Sequence, residues 1–271
     1  MEQEDQSSQE ENQFAQNEWQ PPPTPEALPE TTSTRQTLVG IFFEPGQTFA
    51  VLRVRPRFIA AALIIVGAVM AFQLAFIQKL GYDNIIRQQL TNSPQAEQLS
   101  QQQRNAAIEL YSNPAMKGVV YTSPLFGLAL IFFVGALIYW GMSAAFGGQA
   151  NYLQSLSLLV YSSLPYYVVT MLLNLIVLFI KSADDIDVVG AQRGLAQANL
   201  SLLVDPKTTP ALASLLSSFD LFTFYAMFLA ALGFQKIARL SSASAWTIVI
   251  VLWVISGVFK IVGTLLSGLA V

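Results

Sequence analysis

Apolar residues gather into five long runs along this chain, and polar residues dominate before and between them. The runs lie at about 58–77, 119–146, 153–180, 212–234 and 246–269. A helix rises about 1.5 Å per residue and the hydrocarbon of a bilayer is about 30 Å thick, so about 20 apolar residues cross it. The pattern predicts an all-α polytopic membrane protein, a bundle of five transmembrane helices over residues 58–271. Serines and Asp220 occupy the first half of the fourth run. Four crossings with a re-entrant segment is therefore the rival topology.

Ahead of the first run stands "TLVGIFFEPGQTFAVLRVRPRF". Leu38, Ile41 and Phe42 share one helical face, and Phe49 and Leu52 repeat it after Pro45 opens a new turn. Arg53, Arg55 and Arg57 follow at once. Residues 35–57 thus read as an interfacial amphipathic segment, with Phe42 and Phe49 in the acyl boundary and the three arginines against anionic headgroups. A plain helical lead-in to the first crossing is the alternative. Residues 1–34 are rich in Gln, Glu, Pro, Ser and Thr and read as a disordered tail, because they offer too little apolar surface to offset the entropy of ordering. "PPPTP", Phe14 and Trp19 are its candidate contacts for a protein partner.

Composition narrows the classes. The chain of 271 residues is 53% hydrophobic and only 11% charged, where soluble domains carry about a quarter charged residues. It has no cysteine and no histidine, which excludes disulfides, thiol nucleophiles, His–Cys zinc sites, His-ligated haem and Ser-His-Asp triads. "DDID" lacks the spacing of a calcium-binding loop. No catalytic, cofactor or metal residues are predicted. A net charge of −3 argues against a nucleic-acid partner. The chain begins acidic, without a basic stretch followed by an early apolar one, so insertion is expected to start at an internal run.

Charge also orients the crossings. Arg53, Arg55 and Arg57 crowd the entrance of the first run, and Lys236 and Arg239 sit in the short loop after the fourth. With five crossings both lie on one side, which the positive-inside rule makes cytoplasmic. The N-terminus is then inside and the C-terminus outside. The outer loops, about 79–118 and 181–211, are expected to hold short helices. Ser93 before Pro94 is a candidate cap, with Ala96, Leu99, Ala106 and Leu110 as a broken apolar stripe.

Polar residues inside the runs are candidate functional positions, because a charge at mid-bilayer costs about 2.5–3.5 kcal/mol on insertion scales. Lys260 lies about ten residues from the outer end of the fifth run, or roughly 14 Å. Asp220 and Asn174 fall at similar heights on the fourth and third runs. The three are predicted to form an intramembrane polar cluster, with direct Lys260–Asp220 pairing and snorkelling of Lys260 to the headgroups as open alternatives. Pro165 is expected to kink the third helix beside Tyr161, Tyr166 and Tyr167. Gly67, Ala71 and Ala75, then Gly141 and Ala145, and then Gly263 and Ser267 form small-residue ladders. These suit helix packing within the bundle or a homo-oligomer seam.

Three stretches together, "GIFFEPGQTFAVLRVRPRF", "YLQSLSLLVYSSLPYYV" and "SSFDLFTFYAMFLAALGFQKIARL", resemble the Yip1 family of membrane proteins in its bacterial form. The resemblance covers most of residues 38–271 and implies five transmembrane helices with a cytoplasmic N-terminus. In eukaryotic relatives the family is associated with Rab-type GTPases, but no "DLYGP"-like stretch occurs here, so that role is not carried over. The expected function is non-enzymatic: membrane organisation or partner recruitment, with the lipid bilayer as the first partner. The alternative is a small permease or channel subunit using Lys260, Asp220 and Asn174.

Overall fold

A computed structural model describes residues 32–92, 100–191, 194–205 and 208–267, and from Ser33 onward these build one compact unit. The tail 1–31, Ser93, Pro94, Ala96 and Leu99 lie outside the described residues. The elements are helical: α1 (Thr34–Phe43), α2 (Pro45–Val54), α3 (Ile59–Leu80), α4 (Tyr82–Asn92), α5 (Gln101–Ser112), α6 (Pro114–Ala145), α7 (Tyr152–Ile180), α8 (Val188–Ala191), a 3-10 turn (Leu200–Leu203), α9 (Pro210–Ser217), α10 (Leu221–Ile237) and α11 (Ser242–Ser267). Among the described residues four helices, α3, α6, α7 and α11, are long and apolar enough to cross a membrane.

The fourth predicted run is not one helix. It is split into α9 and α10 by three non-helical residues, Ser218, Phe219 and Asp220. The serines and Asp220 are the cause. Ser217 Oγ donates to Ser214 O at 2.7 Å, turning the end of α9 upon itself. Asp220 then takes extended backbone and accepts from Thr223 N at 2.9 Å, starting a new helix as its N-cap. The 17 residues of α10 span about 26 Å.

Other boundaries have equally local reasons. Ser33 with Gln36, Ser100 with Gln103, and Asn151 with Gln154 form capping boxes for α1, α5 and α7. Asn113 caps α6 and Pro114 opens it. The turn between α6 and α7 passes through Gly147 at φ +79°, a left-handed conformation that favours glycine. Pro124 lies inside α6, where its ring leaves Val120 O without its usual donor. Gln73 Nε2 of α3 supplies a hydrogen bond to that carbonyl at 2.8 Å, and Ser123 Oγ adds one at 2.9 Å. α7 runs through Pro165 as an unbroken helix.

Two ends of the bundle are separately packed. At one end lie α1, α2, the start of α7 and the end of α10, around Ile41, Phe49, Leu52, Leu158, Leu229, Phe234 and Ile237. A Cβ at Gly233 would stand 2.8 Å from Leu158 Cγ and 3.3 Å from Phe49 Cε1, so glycine is what lets α10 approach both. Phe49 is therefore a core residue and not an anchor in the acyl boundary. Phe49 is 0% exposed inside the protein, and Phe42 packs half-buried against the same core. An apolar stripe seen along the chain has the same spacing whether its partner is acyl chain or protein.

At the other end α4, the end of α3 and the segment after α7 enclose Ile77, Leu80, Tyr82, Ile85, Ile86, Leu178, Ile186 and Val188. Lys79 Nζ donates to Leu178 O and Lys181 O, placing a cation on the carbonyl end of α7. Tyr82 donates to Tyr111 O at 2.9 Å, and the Lys117 ammonium lies 5.0 Å from the centre of its ring. Lys117 also pairs with Asp83 at 3.2 Å, an exposed bridge worth at most about 1 kcal/mol. Leu110, by contrast, faces out, so the predicted stripe of that loop is not buried at its end.

Burial foremost, then the Asp83 carboxylate and the Tyr111 and Tyr121 phenols, push the Tyr82 phenol above its usual value near 10. A raised phenol value favours the neutral form in the fold, so this stabilisation is full below about pH 10 and is lost as pH rises through the folded value. The difference between wild-type and Tyr82→Phe absorbance titrations at the phenolate band is expected to show a midpoint above 10. A midpoint at or below 10 would mean that Tyr82 is not enclosed.

Candidate functional site

The break between α9 and α10 is the most polar place in the apolar bundle. Its backbone is paired with the loop after α8: Leu200 N donates to Phe219 O and Leu221 N to Ala198 O, each at 3.3 Å, making an antiparallel bridge of Asn199 with Asp220. Non-helical backbone in an apolar bundle needs partners inside the protein, and this bridge supplies them. Trp253 Nε1 of α11 adds a hydrogen bond to Ser218 O at 3.1 Å. Phe219, Phe224 and Trp253 close one side, with the Phe219 and Trp253 rings edge to face at 5.3 Å.

α11 presents one polar stripe to this break. Trp253, Gly257, Lys260 and Thr264 follow at helical spacing. Trp253 reaches Ser218, a Cβ at Gly257 would stand 3.7 Å from Ser218 Oγ, and Thr264 shares a hydrogen bond with Ser214. Lys260 sits between these contacts and is half-buried. Asp220 is only 9% exposed and its charge reaches both Lys260 and Tyr166 of α7. No ion pair within 4.0 Å joins Lys260 to Asp220. The Asp220 Oδ1 is committed to its own helix, and Ser218 Oγ, on a residue 6% exposed, has no hydrogen-bond partner among the described residues.

Asn174 does different work. It is 3% exposed; its Oδ1 accepts from Leu195 N at 2.5 Å and Ala196 N at 3.0 Å, and its Nδ2 donates to Thr170 O at 2.8 Å. Gly194, at φ +97°, turns the loop onto it. Asn174 therefore anchors the loop whose next residues bridge to Asp220, and it reaches the polar site through backbone. Of the three predicted cluster residues, Asp220 lies in the break, Lys260 lies on the α11 stripe that packs against it without an ion pair to Asp220, and Asn174 anchors the adjoining loop. Chain pattern alone missed Ser218, Trp253 and Asn199, whose only signal was the serine-rich start of the fourth run.

The opposite end carries the basic residues. Arg53 Nη1 donates to Lys236 O at 3.4 Å, and Gln154 Nε2 donates to Arg53 O at 2.6 Å, tying α2, α7 and α10 together. Arg57 Nη1 reaches Thr34 Oγ1 at 3.4 Å, and Arg55 is exposed. Arg239 has φ +58°, the one non-glycine residue with positive φ among those described; that position costs about 1 kcal/mol or more. It ends α10 there and sends its guanidinium to Gln149 Oε1 at 3.3 Å. Among the described residues at this end stand six cations, Arg35, Arg53, Arg55, Arg57, Lys236 and Arg239, and one acid, Glu44.

The small-residue ladders look outward. Gly67 and Ala71 are exposed, and a Cβ at Gly67, Gly141 or Gly263 would meet nothing within 4 Å. Ala75 packs against the second core. The Ser267 side chain lies outside the described residues. No group of three or more potential metal ligands occurs among the described residues.

Three comparisons bear on this architecture. The chain is 28% identical over 245 residues to the "Membrane protein YknW" of Bacillus subtilis (strain 168), covering 89% of this chain and 95% of that protein. No solved structure matches it. The family model described as the Yip1 domain matches residues 39–263, from the α1–α2 hairpin through the break and Lys260, and the chain is thereby a member of the Yip1 domain family of membrane proteins.

Proposed function

We propose that this protein is a non-enzymatic membrane platform that recruits an acidic partner at its basic end. The observation that carries the reading is the rigid seating of that end. The arginines stand on a hairpin whose Ile41, Phe49 and Leu52 are wholly buried against α7 and α10. Guanidiniums held on a fixed base recognise carboxylates or phosphates without the entropy cost of ordering long loops. In this reading α9 and α10 together make a fifth crossing, so the basic end is cytoplasmic and the chain ends outside. The opposite end fits that orientation, since its five described cations are spread over longer loops while six crowd the basic end.

The absence of cysteine makes the orientation directly testable. A single cysteine at Arg55 is expected to react only with reagents delivered to the cytoplasmic face, and one at Asp184 only from outside; the same face for both would overturn the five crossings. For the role itself, a photo-crosslinker at Val54, exposed beside the arginines, is expected to trap one defined acidic protein. Joint Arg53→Gln, Arg55→Gln and Arg57→Gln substitution is expected to abolish that adduct. Solute or ion flux through reconstituted vesicles that stops with Asp220→Asn would refute the platform in favour of a permease.

A further inference from the structure

Asp220 and Lys260 stand on adjoining elements without pairing. Among the described residues no ion pair within 4.0 Å joins them, and the carboxylate uses Oδ1 for its helix cap. Asp220 is held by Thr223 N and the Asn199 bridge, and Lys260 lies on the α11 stripe whose Trp253 and Thr264 bond to Ser218 and Ser214. Two opposite charges on adjoining elements that do not pair suit a ligand carrying both signs.

Depth and surroundings indicate which. Counting from the cytoplasmic end, α10 places Asp220 about 26 Å up and α11 places Lys260 about 27 Å up. With hydrocarbon about 30 Å thick, both stand just beneath the outer headgroups. The flanking residues are apolar and outward-facing: Leu221 is 67% exposed and Phe259 73%, with Phe224 and Val258 beside them. We propose that the face where the α9–α10 break meets α11 seats the headgroup of a phosphatidylethanolamine-type phospholipid, its ammonium toward Asp220 and its phosphate toward Lys260. The acyl chains then lie on the exposed apolar residues below. A free anion answers Lys260 alone and a free cation Asp220 alone. Phosphatidylcholine has no N–H to donate to the carboxylate, and phosphatidylglycerol has no cation for it.

The proposal rests on the crossings of α10 and α11 in the reading above, and the cysteine-accessibility result fails independently of lipid preference. The test uses the full chain in nanodiscs of phosphatidylethanolamine, phosphatidylcholine or phosphatidylglycerol with identical acyl chains. It reads the unfolding midpoint in each and the lipid retained by native mass spectrometry from an equal mixture. Phosphatidylethanolamine is expected to give the highest midpoint and to be retained about tenfold or more over the other two, the ratio one charge-assisted hydrogen bond supplies. Asp220→Asn keeps the helix cap, since asparagine caps as well as aspartate, and is expected to erase the preference over phosphatidylcholine. Lys260→Gln is expected to weaken retention of all three lipids, and Lys260→Arg to restore it. Equal retention of the three by the wild type, a preference for phosphatidylglycerol, or a preference that survives Asp220→Asn would each overturn the site.

Discussion

Phe49→Ala lowers the stability of the folded bundle by about 3–5 kcal/mol, the range for truncating a fully buried aromatic, whereas Phe43→Ala changes it little. Both phenylalanines belong to the segment that reads along the chain as interfacial, and their surroundings are opposite. Phe49 is 0% exposed and meets α10 at Gly233, while Phe43 is 80% exposed. Removing the Phe49 ring opens a void under α10 that Leu158 and Phe234 cannot close, because each is itself fully packed. A denaturant titration in detergent micelles measures both variants. Equal, small losses would show that α2 rests on lipid, and the basic end would then lose its rigid base.

The second large effect falls at the other end. Asn174→Leu leaves the Leu195 and Ala196 N–H groups without their acceptor. Each orphaned buried donor costs about 1–3 kcal/mol, so the loop is expected to lose about 2–6 kcal/mol of anchoring. Leucine is close to asparagine in shape, but a methyl cannot approach these nitrogens as an oxygen does, so the loop must also move away from α7. Limited proteolysis is expected to cut the 194–205 segment in the variant at concentrations that leave the wild type intact. Asn174→Asp, which retains the accepting oxygens, is expected to protect it. If Asn174→Leu remained resistant, the loop would be held by the Asn199–Asp220 bridge alone.

Both predictions turn on residues whose type was readable and whose partner was not. Asn174 stood out as a polar residue in an apolar run, and its partners proved to be backbone amides 21 and 22 residues further on. Asp220 announced a disturbance in the fourth run. A carboxylate after three serines is an ordinary helix start in any environment, yet only the pairing with Ala198 and Leu200 makes a break tolerable inside a bundle. Gly67 and Ala71 show the reverse limit. Their spacing was plain, but whether a small-residue face meets a neighbour depends on the azimuth of the helix, which the chain order does not state.

What the chain determined unaided was its solvent. The long apolar runs, the scarcity of charge and the arginines beside the first crossing follow from transfer free energies that act residue by residue. The caps at Ser33, Asn113, Asn151 and Asp220 are equally local. Tertiary structure alone decided what each face meets: that Phe49 is core, that Asn174 holds a loop, and that Asp220 and Lys260 lie on adjoining elements without an ion pair. Those outcomes depend on helix rotation and on contacts between residues far apart in the chain, and neither leaves a periodic mark on the sequence.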